Sequence, residues 1–419
     1  MGTTTHSKMA YYVSLCVFLV GAISTWVPSG YSIGYILLFV ASLPLLFMPS
    51  LRPALEKADR WFIAIFLLFA TLWLADAVLL KGDSSSIEKS FRFLTSGTVF
   101  LLLLKHSWKK IFLWLGVVGG SIGALGQIFW ERAIQGLDRA DGIMNAIQFG
   151  GLSMLLAFLC LAGLGWAVTR ERKGAWVFLL LLGFVAGVLA SFWSGSRGAW
   201  LGIPVGLAIL YYVYKPWLRG KYIYGGIALL VGLLAIMLMV PQVGVQERWN
   251  SAVEDVNIYM QDTSIQTSNG GRLELWKASY HMIIEHPWLG VGDTGFVETV
   301  DQLAEDGKVA AYITEFSHAH NEFLDVFAKR GIFAALSLLL LYLMPPLLFV
   351  RQLNTLNMEQ RAYVAGGLMV SALVMTFGLT QAFMTGHNSG LMIFVAYNLI
   401  FYAAFKDSLE EAKGKKKEN

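Results

Sequence analysis

Ser317-His318-Ala319-His320-Asn321-Glu322-Phe323-Leu324 falls at the end of a polar segment of ninety residues, Pro241 to Arg330, in a chain whose other stretches are mostly hydrophobic. A connection of that length is uncommon unless it is functional or disordered. This one carries helically spaced apolar residues, tryptophans and few disorder-promoting runs, so it is expected to fold as a cap over a bilayer.

Working outward, composition sets the class. Of 419 residues, 56% are hydrophobic and 14% charged, which excludes a water-soluble domain of ordinary surface. A span needs about 20 apolar residues to cross the hydrocarbon core. Twelve candidates begin near Met9, Tyr31, Trp61, Phe91, Ile111, Ala146, Ala175, Ala199, Tyr222, Gly331, Tyr363 and Ser389, the fourth of them short. The expected fold is an all-α polytopic membrane protein with about 12 transmembrane helices and one large helical periplasmic loop. Met9 to Val27 has one basic residue before it and no small-x-small cleavage site, so it is expected to remain as the first helix rather than leave as a signal peptide. Cys16 and Cys160 both fall within expected spans and read as packing residues, leaving the loop without a thiol for a disulfide.

Basic residues in the short connections set the orientation. One alternating set holds Arg52, Lys57 and Arg60, then Lys105, Lys109 and Lys110, then Arg170, Arg172 and Lys173, then Lys215, Arg219 and Lys221, then Arg351 and Arg361. The positive-inside rule makes that set cytoplasmic. Both termini are then expected in the cytoplasm, with the large loop outside, periplasmic in a Gram-negative cell. The domain plan is 1–240 for helices one to nine, 241–330 for the loop, 331–405 for helices ten to twelve and 406–419 for a lysine-rich cytoplasmic tail, a run that reads as the solvated end of a helix.

Within the loop, Val245 to Asp262 and Arg272 to Glu285 have apolar residues at helical spacing; in the second, Leu273, Trp276, Tyr280 and Ile283 share one face. Ser268-Asn269-Gly270-Gly271-Arg272 precedes that helix, supplying cap candidates, backbone N–H groups and an arginine at one point, which suits an anion. A plain loop-to-helix junction with an exposed arginine fits the same residues. Arg197 lies in the short external turn Ser194-Gly195-Ser196-Arg197-Gly198, where a charge beside hydrocarbon needs an anionic partner or water; a lipid phosphate would also serve. His318 and His320 stand at the outer boundary. Histidine is the side chain most easily poised as a general base near neutral pH, and Asn321 and Glu322 are candidates to orient it. Metal ligation needs a third ligand, and none is clear at suitable spacing. His387-Asn388, in the last external turn, repeats the His-Asn pair as a cap or as a neighbour of the same region.

Four runs in order resemble the O-antigen ligase and Wzy-type polymerase superfamily: Ser194-Gly195-Ser196-Arg197-Gly198-Ala199-Trp200, Gly271-Arg272-Leu273-Glu274-Leu275-Trp276, His286-Pro287-Trp288-Leu289-Gly290-Val291-Gly292, and Ser317 to Leu324. The resemblance implies a membrane glycosyltransferase. Such an enzyme takes a glycan from undecaprenyl diphosphate on the periplasmic face of the inner membrane, and its ligase branch passes it to a sugar hydroxyl of lipid A-core. It further implies that Arg197 and Arg272 hold the donor diphosphate and that His320 is the base, with His318, Asn321, Glu322 and His387 as supporting candidates. No Asp-x-Asp motif of the metal-dependent glycosyltransferase kind is present, so a metal-independent, inverting transfer without cofactor is expected. The partners are then the lipid-linked polysaccharide, lipid A-core and membrane lipids, with no nucleic acid.

Three alternatives stay open at this level. A polymerase of the superfamily would use the same donor and extend another lipid-linked glycan. A protein O-oligosaccharyltransferase would use a Ser or Thr on a protein. A twelve-helix transporter is of a different class, and transporters place ionisable groups near the midplane, where Asp76 is the one acidic residue well inside a span.

Overall fold

The computed structural model describes residues 4–79, 84–137, 141–217, 220, 254–255, 257–261, 267–351 and 353–418. Among these residues all regular structure is helical. The helices are α1 (Thr4–Ala22), α2 (Gly30–Phe47), α3 (Lys57–Leu79), α4 (Ser84–Leu94), α5 (Ser96–Lys105), α6 (Ile111–Phe129), α7 (Ala146–Ala162), α8 (Leu164–Ala167) and α9 (Lys173–Trp193). They continue with α10 (Arg197–Trp200), α11 (Gly202–Tyr214), α12 (Ser268–Glu285), α13 (Gly292–Glu305), α14 (Glu322–Val350), α15 (Met358–Phe377) and α16 (Asn388–Glu418).

Seven of the described helices are long and apolar enough to cross a membrane, starting at Gly30, Lys57, Ile111, Ala146, Lys173, Glu322 and Asn388. The expected first span, Lys8–Ala22 in its apolar part, falls short of that length. The fourth is two short helices, α4 and α5, that meet at Thr95, and the eighth is broken at Leu201 between α10 and α11. The ninth, near Tyr222, lies outside the described residues, as does most of the loop helix expected over Val245 to Asp262.

The last helix is the axis of the bundle. In the apolar part of α16, 94% of residues are buried, against 39% in α2 and 44% in α3. Apart from Asn398, that helix is apolar on all sides over Leu391–Phe405, as expected of a helix enclosed by others.

Ion pairs fix which helix ends lie together. Arg170 pairs with Glu359, Lys110 with Asp407, and Lys406 with Asp59, which also accepts from Tyr402 Oη at 3.0 Å. These gather residues from the basic connections at one end of the bundle. Seventeen residues along α3 from Asp59, about 25 Å at the helical rise, Asp76 meets Arg330 of α14 (3.3 Å) at the other end.

The loop helices build a small core of their own on the start of α14, with Leu275, Met282, Phe296, Val300, Ile313 and Ala319 all fully buried. The inward face of α12 is Leu275, Ala278 and Met282, while Tyr280 of the expected face is exposed; the helix packs on α13 and α14, so contacts along its length select the face. The helix α13 was not anticipated, since Gly292 and Gly295 interrupt its local helical signal.

One junction ties this cap to the bundle. Backbone hydrogen bonds run from Val291 N–H to Ala328 O (3.0 Å) and from Ile332 N–H to Pro287 O (2.9 Å). Between them Gly331 breaks α14 with φ 69° and ψ −173°, and Gly290 opposite has φ 71°. A Cβ on Gly331 would sit 2.1 Å from Trp288 O, and one on Gly290 2.3 Å from the carbonyl carbon of Lys329. The His286 to Gly292 run is thus a brace for the bend in α14.

Candidate active site

The segment Ser317-His318-Ala319-His320 is held from three sides. Trp276 of α12 donates its indole N–H to Ala319 O (3.1 Å), Asp325 of α14 accepts from Ala319 N–H (3.0 Å), and Lys329 donates to Ser317 O (2.8 Å). Asp325 and Lys329, four apart on the helix, also pair with each other at 3.1 Å. So clamped, His320 takes φ 48°, a left-handed conformation unfavourable for a residue with a Cβ. Strain of this kind persists where surrounding contacts over-determine it.

Asn321 and Glu322 take roles other than the suggested orientation of a histidine. Asn321 caps α14, its side-chain oxygen accepting from Phe323 N–H and Leu324 N–H at 3.1 and 3.2 Å. Glu322 is fully buried and holds the turn between α15 and α16, accepting from Met384 N–H (2.7 Å), Thr385 N–H (2.6 Å) and Tyr342 Oη (2.5 Å). The Glu322 N–H donates to Gly378 O (2.7 Å) and the Asn321 amide to Leu379 O (3.2 Å). Together they seat the 378–387 turn against the histidine segment.

That turn delivers a residue that sequence reading missed. Gln381, 3% exposed, faces three imidazoles: its Oε1 meets His320 Nδ1 and His318 Nε2 (3.3 Å), and its Nε2 meets His387 Nε2 at 2.9 Å. The rings of His318 and His320 are 4.3 Å apart and those of His318 and His387 6.0 Å. His387, expected either to cap or to approach this region, approaches it. No local motif marks Gln381; its partner His320 is 61 residues away in sequence.

The two arginines stand differently toward this cluster. Arg272 sits in the first turns of α12, bonded to Ser268 O, Ser268 Oγ and Asn269 Oδ1 at 3.2–3.4 Å, and its charge is felt at His320. The run Ser268 to Arg272 lies inside the helix rather than before it, because Thr267 is the cap; its Oγ1 accepts from Gly270 N–H (3.0 Å), so that donor is already used. Arg197 opens the short helix α10, which packs on α7 and α15. Its neighbour Gly198 lies so close to Thr380 that an added Cβ would stand 2.3 Å from Thr380 Oγ1. The Arg197 turn therefore abuts the residue next to Gln381.

Burial governs the histidines. His320 is pushed down to about 4, first by burial and then by His318 and Arg272, against the opposing Gln381 and Asp325. His387 is lowered to about 4 by burial and by His318, Lys89 and His320, and His318 is lowered chiefly by burial. All three are neutral near pH 7 and able to accept a proton.

Beside His318 opens a cavity of about 410 Å³, lined by groups that include Ser86, Lys89, Asp293, Glu298 and Thr385. Lys89 donates to Gly386 O there (3.1 Å). Its floor is a buried charge cluster: Arg330 pairs with Asp293 (2.8 Å) and Asp76 and donates to Ser86 Oγ (2.7 Å), with its guanidinium 5.0 Å over the Trp73 ring. Burial would raise the Asp293 carboxyl, but Arg330 and Lys329 hold it well below the usual carboxylate range. Asp76, flagged by the sequence as an isolated charge in a span, is thus a structural partner of Arg330. Among the described residues, no three His, Cys, Asp or Glu side chains gather as a group able to hold a metal ion.

Comparison with known proteins finds one family and two relatives. Residues 182–339 match the family described as Wzy_C, O-antigen ligase, a segment that includes Arg197, Arg272, His318 and His320. An uncharacterized protein of Haemophilus influenzae is 26% identical over 402 residues, covering 94% of this chain and 99% of that one. O-antigen ligase of Escherichia coli is 28% identical over 223 residues, 52% of this chain, which spans about half (51%) of that relative's length. The likeness to the O-antigen ligase family therefore rests on residues 182–339 and on the partial match to that ligase.

Proposed function

We propose that the protein is an O-antigen ligase of the bacterial inner membrane, built of twelve spans with both termini in the cytoplasm. It transfers O-polysaccharide from undecaprenyl diphosphate to a sugar hydroxyl of lipid A-core on the periplasmic face, without a metal. The observation that carries this reading is convergence. Trp276 links the Arg272 helix to the histidine segment, and Gly198 brings the Arg197 turn onto Thr380, beside Gln381.

In this reading the donor diphosphate lies against Arg197 and Arg272, whose guanidinium forks suit phosphate oxygens and are strengthened in a low-dielectric setting. The acceptor hydroxyl enters from the cavity beside His318. Neutral His320 takes the hydroxyl proton as the oxygen bonds the anomeric carbon. The bond from that carbon to the diphosphate oxygen breaks on the opposite face, which inverts the centre. The electron pair leaves with the diphosphate, and the arginines stabilise the charge that develops there. As the anionic donor arrives it also raises the His320 pKa, making the base stronger when substrate is present.

The test is a transfer assay with purified full-length protein, undecaprenyl diphosphate-linked polysaccharide and lipid A-core, run with chelator. Product is expected from wild type, with a drop of about 10²-fold or more for His320→Ala. Arg272→Lys is expected to rescue little, because an ammonium lacks the planar fork. Elongation of a lipid-linked repeat unit without transfer to lipid A-core would move the assignment to a polymerase. Transfer by His320→Ala within about twofold of wild type would sink the proposed base.

A further inference from the structure

We infer that Gln381 is the positioning residue that sets which nitrogen of His320 carries the proton, and that one amide fixes the tautomers of His318, His320 and His387 together. The role of His320 as base rests on the proposed function; the tautomer assignment does not.

An amide has one acceptor end and one donor end. The Gln381 NH₂ can only donate, so His387 Nε2, at 2.9 Å, must present a lone pair and carry its proton on Nδ1. The Gln381 oxygen can only accept. His320 Nδ1–H and His318 Nε2–H therefore donate to it, using its two lone pairs. His320 Nε2 is left unprotonated, which is the nitrogen a general base needs. Reversing the amide would reverse all three rings together and put a proton on His320 Nε2, so the device has two states, one competent and one not.

The amide is well placed for such a role. It is 3% exposed, and an unmatched donor or acceptor there would be costly. Its turn is held by the Glu322 carboxylate and the Asn321 amide rather than by the histidines. Gln381 lies beyond the segment matched by the ligase family, residues 182–339. The other charged groups felt by the three rings are Arg272 from α12, Asp325 and Lys329 from α14, and Lys89 from α4. Each acts on ring charge; among the described residues, Gln381 alone bonds all three rings.

Two measurements on the full-length protein in lipid nanodiscs test this. The first is nitrogen NMR with ¹⁵N-histidine, each ring assigned by its single His→Gln variant. His320 is expected as the Nδ1–H tautomer in wild type and to lose that preference in Gln381→Leu. An Nε2–H tautomer in wild type, or an unchanged ring in Gln381→Leu, overturns the inference. The second is the pH dependence of transfer. Gln381→Glu keeps an acceptor at Nδ1–H but adds a charge that favours imidazolium. The acid limb should therefore move up by about one pH unit or more, with turnover partly retained above it. Gln381→Leu should lower kcat by about 10²-fold with the donor KM within about twofold. An unmoved acid limb in Gln381→Glu, or wild-type kcat in Gln381→Leu, also overturns it. Should Gln381→Leu fail to insert, Gln381→Glu decides in its place: His387 Nε2, facing an acceptor instead of a donor, should take up the proton while the acid limb rises, and an unchanged His387 ring overturns the inference. Wild-type protein that transfers nothing would remove the proposed function, and the NMR result would still decide the role of Gln381.

Discussion

The indole of Trp276 donates to the carbonyl of Ala319 at 3.1 Å. That bond joins the helix bearing Arg272 to the residue between the two histidines. Removing the donor while keeping most of the ring volume should let the arginine and the base drift apart. Trp276→Phe is expected to lower kcat by about tenfold while the protein still inserts and melts near the wild-type temperature. Transfer at the wild-type rate would show that α12 is aligned by its apolar core alone.

The pH dependence follows from the burial of His320, which lowers its pKa from 6.5 to about 4. A lowered pKa keeps the imidazole neutral, and so active, down to more acid conditions. The acid limb of kcat/KM should fall near that lowered value rather than near the ordinary imidazole value. The limb in kcat should lie higher, because it reports the enzyme with the anionic donor bound. A kcat/KM profile that breaks close to 6.5 would mean that water reaches the ring freely.

Gly290 and Gly331 make the bend in α14 possible. Both have positive φ, and a Cβ on either would fall within 2.3 Å of the facing backbone. Backbone cannot move aside as a flexible side chain would. Gly331→Ala is expected to cost about 3 kcal/mol or more, read as a lowered melting temperature by tryptophan fluorescence in detergent. A melting curve superimposable on wild type would count against the brace.

Arg330 is the cation between Asp76 and Asp293. Arg330→Met keeps the stem and removes the charge, leaving two buried carboxylates without it. Breaking a buried pair in this way costs about 3–5 kcal/mol, so poor yield of folded protein and early thermal unfolding are expected. If the variant is as stable as wild type, the cluster is hydrated and carries little structural weight.

Much of the fold was legible because its signals are local. Runs such as Trp61 to Leu79 and Ala146 to Ala162 are apolar beyond the needs of a soluble helix, and a helix lies at each expected span within the described residues. Gly292 and Gly295 obscured α13, and the face of α12 that turns inward, Leu275, Ala278 and Met282, is chosen by packing partners rather than by local periodicity.

By itself the sequence determined an all-helical membrane protein and nominated Arg197, Arg272 and His320 from motifs of adjacent residues. Only the tertiary structure brought those motifs together, moved Glu322 and Asn321 from the chemistry to the support of a turn, and introduced Gln381. The physical reason is range. Apolar length and helix caps are written within about one or two helical turns, whereas a hydrogen bond between residues 61 apart exists only after the chain has folded. Asp76 and Arg330 make the same point, since each reads in isolation as a charge near hydrocarbon and together they form a buried pair.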